Sequence, residues 1–378
     1  MSTISRFVLV VVFAFASNAL AAVDDSIDAL LERLEAAVLA GDAEAYLANI
    51  DTRVPEWATE QANWAADLAE HTPEAFDLER IPPFDHAQAG ASEGVADLRI
   101  TWKFPDARER HVEFVARFTT DEHGNALFAG EAWTTVASDD GQNLVRYLDP
   151  DLEAVAARII EIMPGIREHV DAGFETSLDH PQVIKLYTDM QHLQQSIYLS
   201  YTEPLGGWNE PGEAIKIMAT PRSGTRMLRN LLAHEYGHVA TFTYAPDATD
   251  NIPWWAAEGV AELAAERYAG KRARAAVEEA VRAWAEADTL ADWDEMADFR
   301  STPTHLYPYV YRQSHQFLGY ISERFGRTAR NQWLRLLAAG SPPDEASTKA
   351  LRLGFDRLNR QWQDSLKRAP DTDTDADD

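Results

Sequence analysis

Two imidazoles and a carboxylate stand within five positions of one another in the run Ala233-His234-Glu235-Tyr236-Gly237-His238. On a helix, side chains four residues apart emerge on the same side, because one turn takes about 3.6 residues. His234 and His238 can therefore reach one metal ion. Glu235 follows the first histidine and lies beside that same face, where it can take a proton from an activated water without being a ligand. H-E-x-x-H on a helix is thus the pattern of a zinc hydrolase, with a physical reason for each position. The plain alternative is a helix carrying two ordinary surface histidines. The rest of the chain has to supply a third ligand, a cleft and a compartment in which such a centre makes sense.

A second run follows downstream, Pro253-Trp254-Trp255-Ala256-Ala257-Glu258-Gly259-Val260-Ala261-Glu262. H-E-x-x-H followed by W-x-x-E-G-x-A-E resembles the gluzincin metallopeptidases, in particular the peptidase MA-like family. The resemblance implies one zinc ion held by His234, His238 and Glu258, the last being the glutamate of the E-G pair. Two nitrogens and one carboxylate leave a fourth position open, as a catalytic zinc site requires. Glu262 lies four residues past Glu258 on the same helical face. It is expected to accept the outer N–H of a ligating histidine, His234, and so fix its tautomer; a surface glutamate on an alanine-rich helix is the plain alternative. Trp254 and Trp255 read as packing residues at the helix entry, and Asp247 and Asp250 as weaker contributors in the preceding loop.

The same resemblance points to a tyrosine at the start of a later helix, whose hydroxyl would donate to the oxyanion of the tetrahedral intermediate. Within Tyr307-Pro308-Tyr309-Val310-Tyr311 the position falls on Tyr311, with Tyr307 and Tyr309 as competitors and packing as the plain role for all three. His315, one turn on, could line the cleft. No G-x-M-E-N segment of the kind that holds a free N-terminus in aminopeptidases is present, and Glu203 and Glu210 are weak substitutes, so aminopeptidase specificity is not supported. Glu235 would act as general base towards a peptide or protein substrate. Two other readings compete: a non-catalytic binding protein on a peptidase scaffold, and a zinc hydrolase of a non-peptide substrate.

The elements that must position these residues read as α+β. Residues 26–40 carry Ile27, Leu30, Leu31, Leu34 and Val38 at helical spacing and stop at Gly41-Asp42; helices over 43–50 and 57–70 follow. Alternating segments over 95–104, 111–119, 127–136 and 144–148 predict an antiparallel meander. Helices followed by such a run, over roughly 25–148, resemble the nuclear transport factor 2-like (SnoaL-like) cone. That likeness implies a small-molecule pocket, with Trp102, Trp133 and Phe114 as candidate lining, or a partner surface. Beyond Asp149-Pro150 a helix over 151–163 should end at Pro164-Gly165. A strand over 183–188, a short helix over 190–197 and a strand over 214–219 precede the metal helix, which should begin near 223–225. The last strand, with Lys216 and Met218 alternating against Ile215 and Ile217, could be a sheet edge that pairs with an extended peptide. The expected plan is therefore a signal segment at 1–21, a cone-like α+β domain at 22–150, and a mainly helical peptidase domain with a small sheet at 151–370. A disordered acidic tail would occupy 371–378.

Composition narrows the setting. Arg6, the apolar run Phe7 to Ala16 and Ala19-Leu20-Ala21 fit a bacterial-type secretory signal cleaved near Ala22. The expected location is the periplasm or outside the cell, with no stable membrane insertion after cleavage. The chain has no cysteine, so any metal must rest on nitrogen and oxygen ligands. A net charge of −28 argues against a basic, phosphate-binding surface and hence against nucleic acid as a partner.

Overall fold

A computed structural model describes residues 26–82, 93–246 and 251–368. The signal segment, Asp247, Asp250 and the acidic tail lie outside the described residues. Backbone packing sorts the chain into two units. The first takes the residues up to 157 together with 182–208 and 212–221; the second takes 158–181, 209–211 and the residues from 222 on.

The first unit opens with helix α1 over residues 26–40, which ends at Gly41 in a left-handed conformation (φ 63°). Asp42 then caps α2 (Ala43–Leu47), its carboxylate accepting from Ala45 N at 2.9 Å. After α3 (Pro55–Glu70) come β1 (Ala75–Arg80), β2 (Glu93–Lys103), β3 (Arg110–Thr120) and β4 (Ala126–Glu131), an antiparallel sheet in that order. The alternation seen in the sequence sets the register: Leu98 faces Phe114 and Ile100 faces Val112 across β2 and β3, and all four are buried with the apolar faces of α1 and α3. The chain is α+β, as its sequence predicts. β1 was not predicted; its charged residues at 77, 79 and 80 mask the alternation of Phe76 and Leu78.

The expected strand over 127–136 is two strands in different sheets. Gly130 takes φ 82°, and a Cβ there would sit 3.1 Å from the ring of Trp57. The corner that follows hands the chain to β5 (Thr134–Ala137) and β6 (Asn143–Tyr147). These join β7 (Gln182–Tyr187), β8 (Gly207–Trp208) and β9 (Ile215–Met218) in a five-stranded sheet ordered β5-β6-β7-β9-β8. β6, β7 and β9 run parallel, and β5 and β8 flank them antiparallel. β9 is therefore not the edge strand expected: β8 covers it, pairing Gly207 with Ile217 and Trp208 with Lys216. Nor does the alternation in β9 mark a solvent face, because Lys216 is 0% exposed. Polar partners meet it there instead, Glu213 Oε2 at 3.0 Å and the Ser196 carbonyl at 2.8 Å. α5 (Met190–Ile197) contributes that carbonyl.

α4 (Glu153–Phe174) runs through Pro164 and does not stop before it. A proline inside a helix removes one hydrogen bond and costs about 3 kcal/mol. Ile159, Ile162 and Met163 on one side, and Ile166, Val170 and Phe174 on the other, are all buried. At about 1.5–3 kcal/mol for each large apolar side chain, that burial outweighs the local defect.

The second unit is helical: the greater part of α4, then α6 (Thr225–Phe242), α7 (Trp254–Ala265), α8 (Lys271–Glu286), α9 (Tyr307–Phe325), α10 (Arg327–Ala338), α11 (Pro343–Leu351) and α12 (Phe355–Leu366). Its core is aromatic. Trp255 packs on Trp293 (4.4 Å between ring centroids), Trp293 on Phe317 (4.8 Å), and Phe317 on Trp362 (5.3 Å). Trp255 thus has the packing role its position predicts. Among the described residues no helix is long and apolar enough to cross a membrane.

Candidate active site

Three helices, α6, α7 and α9, set the geometry, and two glycines let them approach. A Cβ on Gly237 of α6 would lie 2.7 Å from the Cα of Ala261 on α7, and one on Gly259 of α7 would lie 3.0 Å from Ser314 Cβ on α9. Any larger residue would have to push backbone away from backbone. The glycine of H-E-Y-G-H and that of the E-G pair are therefore packing requirements of the layer that carries the side chains of interest.

On α6, Leu228, Leu232, Tyr236 and Val239 are buried, and His234 and His238 emerge beside them. Tyr236 ties the far side of the helix to α4 by donating to Asp171 at 3.3 Å. α7 brings Glu258 across from the two histidines. Its Oε2 lies 3.4 Å from His234 Nε2 and 3.6 Å from His238 Nε2. One potential ligand atom from each of the three residues falls within 4.8 Å of the others, and they form the metal-ligand cluster found among the described residues.

The donor set fits a divalent cation. Glu258 is 6% exposed, and its Oε1 accepts from Trp254 Nε1 at 2.9 Å, while its Oε2 is buried with no hydrogen-bond partner. An unsatisfied buried carboxylate oxygen is costly, and here it faces two imidazole nitrogens. Glu262 Oε1 lies 3.2 Å from His234 Nδ1, the ring atom turned away from the cluster.

The electrostatics agree with a site that holds charge in tension. Burial works against the positive form of His234, but the neighbouring carboxylates of Glu258 and Glu262 outweigh it and raise its pKa well above the usual range. Burial lowers His238 to about 4. For Glu258, burial is outweighed by His238, His234 and the Trp254 hydrogen bond, so its carboxyl stays below the usual range. Glu235 is 4% exposed, and burial pushes it up to about 7 against the attraction of His234. A carboxylate titrating near neutrality beside a ligand cluster is suited to taking up and releasing a proton.

The three tyrosines separate cleanly. The ring of Tyr311 lies 6.1 Å from that of His234. Tyr307 packs on Trp254 at 5.0 Å, and Tyr309 stacks on Trp284 at 4.1 Å. His315 is not part of the cluster; its Nε2 lies 3.6 Å from Glu266 Oε2. Sequence reasoning assigned Trp254 to packing and missed its hydrogen bond to Glu258. The signal was available: W-x-x-x-E at i and i+4 puts the indole tip within reach of the carboxylate one turn on.

The helical unit of this mixed α+β chain gathers two histidines and a glutamate from adjoining helices into a group that could hold a metal ion. Residues 166–368, more than half of the chain, match the model of the Peptidase MA superfamily, and the chain belongs to that family. No curated protein matches it.

Proposed function

We propose that the protein is an exported, zinc-dependent peptidase of gluzincin type that hydrolyses peptide bonds in a peptide or protein substrate. The observation that carries this reading is the buried, unpartnered Oε2 of Glu258 facing the Nε2 atoms of His234 and His238. His234, His238 and Glu258 would hold one zinc ion. That ion, when bound, supplies Lewis acidity for the scissile carbonyl and acidifies a water molecule.

The remaining work falls to side chains. Glu235 accepts the proton of the attacking water and passes it to the leaving amine, which its pKa of about 7 favours. Glu262 acts on His234 Nδ1, fixing which ring nitrogen faces the cluster. Trp254 fixes the rotamer of Glu258 by holding Oε1 and leaving Oε2 for the ligand position. Tyr311, placed beside His234, donates its hydroxyl to the developing oxyanion.

Family membership supports the peptide substrate, and the leader-like residues at 1–21 support export, with a mature chain beginning near Ala22. In the first unit, three helices followed by an antiparallel sheet supply the element order of a nuclear transport factor 2-like cone. Metal analysis of the purified protein, coupled to digestion of a peptide library with and without chelator, tests the central claim. Zinc near one equivalent and chelator-sensitive cleavage are expected. Purified protein that binds no zinc, or cleavage indifferent to chelator, would overturn it.

A further inference from the structure

Acidic residues run through most of this chain, 62 among 378, yet two stretches of the second unit have none. Residues 222–234 carry Arg222, Arg226 and Arg229, and residues 267–277 carry Arg267, Lys271, Arg272 and Arg274, with no Asp or Glu in either. Packing brings the two together. The first stretch opens α6 and the second opens α8, and a Cβ on Gly270, the residue before α8, would lie 3.8 Å from Arg226 Nη1. Tyr268 senses both stretches: burial raises its hydroxyl against the pull of Arg267 and Arg229. Its ring packs edge-on against His169 of α4 at 5.7 Å, where burial lowers the imidazole and Arg267 and Arg327 lower it further.

These cations are turned outward. Arg226, Arg229, Arg267, Lys271 and Arg272 are all exposed, and among the described residues none of them has a carboxylate partner. Helix stability does not account for them. The first turns of α6 and α8 contain no acid, and cations at that end oppose the helix dipole, which favours negative charge there.

Between Arg226 and Arg229 the chain also exposes Met227, at 44%. With Leu39 it is one of the two large apolar side chains left exposed among the described residues. Cations set around an exposed apolar side chain match an anionic lipid surface: the charges meet the headgroups, and the apolar group enters the boundary beneath them. An acidic polypeptide would use the charges and leave the methionine without a role.

We propose that this face of the second unit docks on an anionic phospholipid surface, with Arg226, Arg229, Arg267, Lys271 and Arg272 over the headgroups and Met227 inserted between them. The same surface repels the acidic remainder of a chain of net charge −28, so the attraction also orients the molecule. Along α6, His234 follows Arg226 by about 12 Å of helix axis, so docking carries the metal-ligand cluster towards the bilayer. The inference does not depend on the peptidase reading, because none of the docking side chains belongs to that cluster.

Sedimentation of the full chain with vesicles tests it. Vesicles of phosphatidylcholine mixed with phosphatidylglycerol should carry the protein down, vesicles of phosphatidylcholine alone should not, and binding should weaken as salt is added. Each Lys or Arg beside an anionic surface is worth about fivefold in partitioning, so Arg226→Glu with Arg229→Glu, and separately Lys271→Glu with Arg272→Glu, should lower it by about 25-fold or more. Arg108→Glu with Arg360→Glu, the same change of net charge outside this face, should leave it within about threefold. Met227→Ser should weaken binding by about threefold or more. To locate the face without a variant, a photoreactive headgroup in the vesicles should label the peptides that contain Met227 and Lys271. The proposal is overturned by no binding to anionic vesicles at low salt, by equal binding to neutral ones, or by labelling confined to other peptides. Reversals on the face that cost no more than the control pair would overturn it too. Capture of polyglutamate without vesicle binding would assign the face to an acidic polypeptide and overturn it as well.

Discussion

Each unit of this chain buries a set of ionisable side chains, and the two sets are finished in different ways. In the first unit Glu60, Glu213, Lys185 and Lys216 are almost wholly buried, and every carboxylate meets an ammonium. Lys216 also lies 4.0 Å from Glu60, and the backbone N–H of Ala214 donates to the same carboxylate at 3.3 Å. Although burial favours the neutral amine, Glu213 and Glu60 hold the ammonium of Lys216 above its ordinary range. In the second unit His234, His238 and Glu258 converge, with one glutamate oxygen taken by Trp254 and the other turned to the imidazoles without a hydrogen bond. The four charges named in the first unit are matched in pairs, whereas in the second a carboxylate oxygen faces two imidazole nitrogens without a hydrogen bond. Burying charge is expensive in both places, so the difference separates a pairing that organises a core from a cluster that a metal ion could complete.

The contrast should be largest in catalysis. Glu235→Gln should lower the rate of peptide hydrolysis by about 10²–10⁴-fold, the usual range for loss of a general base, with bound zinc unchanged. Single-turnover hydrolysis and metal content measured on the same preparation check both halves. Lys185→Met, in the closed network, should leave Glu60 partly unmatched and cost about 3–5 kcal/mol of stability in a denaturant titration. The pair Lys185→Met with Glu60→Gln should recover part of that loss, because Glu60 then carries no unmatched charge while Glu131 still lacks the Lys185 ammonium; a double variant as unstable as the single one would show that the Lys185–Glu60 pair is not the cause.

Glu262→Gln should weaken zinc binding by about 10–100-fold, the range for a group that orients a ligating histidine, and leave the denaturant midpoint of the metal-free protein nearly unchanged. The pH dependence of zinc affinity should follow from His234. In the metal-free protein its raised pKa favours the protonated ring, so zinc binding displaces that proton. Glu235, near 7, also carries part of a proton there. Apparent affinity should therefore fall as pH is lowered, by about tenfold per pH unit for each proton displaced, as a competition titration with a chromophoric chelator would show. Trp254→Phe should act on the same scale as Glu262→Gln. Loss of one hydrogen bond to a charged group is worth about 1.5–3 kcal/mol, and should appear as weaker zinc binding with the fold intact by circular dichroism.

The candidate site was legible where its logic is local. His234, Glu235 and His238 need only the pitch of a helix, and Glu262 needs only the turn after Glu258. Glu258 itself entered through a family likeness, since nothing in helical spacing says that a second helix will face the first. Trp254 was passed over because an indole reads first as apolar mass. In the fold, the alternation of β2 and β3 was plain, while β1 was hidden by charged residues. Pro164 suggests a stop because local propensity carries no knowledge of the one apolar stripe, from Ile159 to Phe174, that α4 buries before and after the proline. The alternation of Lys216 and Met218 with Ile215 and Ile217 suggests a sheet edge, an expectation that fails because β8 pairs with β9 and the buried Lys216 is met by carboxylates within the core.

By itself the sequence determined the helical face that presents two histidines and a base, the absence of sulfur ligands and the α+β plan. Those follow from periodicity and composition, which are properties of neighbours along the chain. Tertiary structure alone decided that Glu258 Oε2 would face two imidazoles, that the ring of Tyr311 would stand 6.1 Å from that of His234, and that two lysines would be buried in pairs while Glu131 kept an oxygen without a hydrogen bond. Each of those depends on which distant segments meet, and the energy of a buried charge is set by what stands within a few ångströms in space.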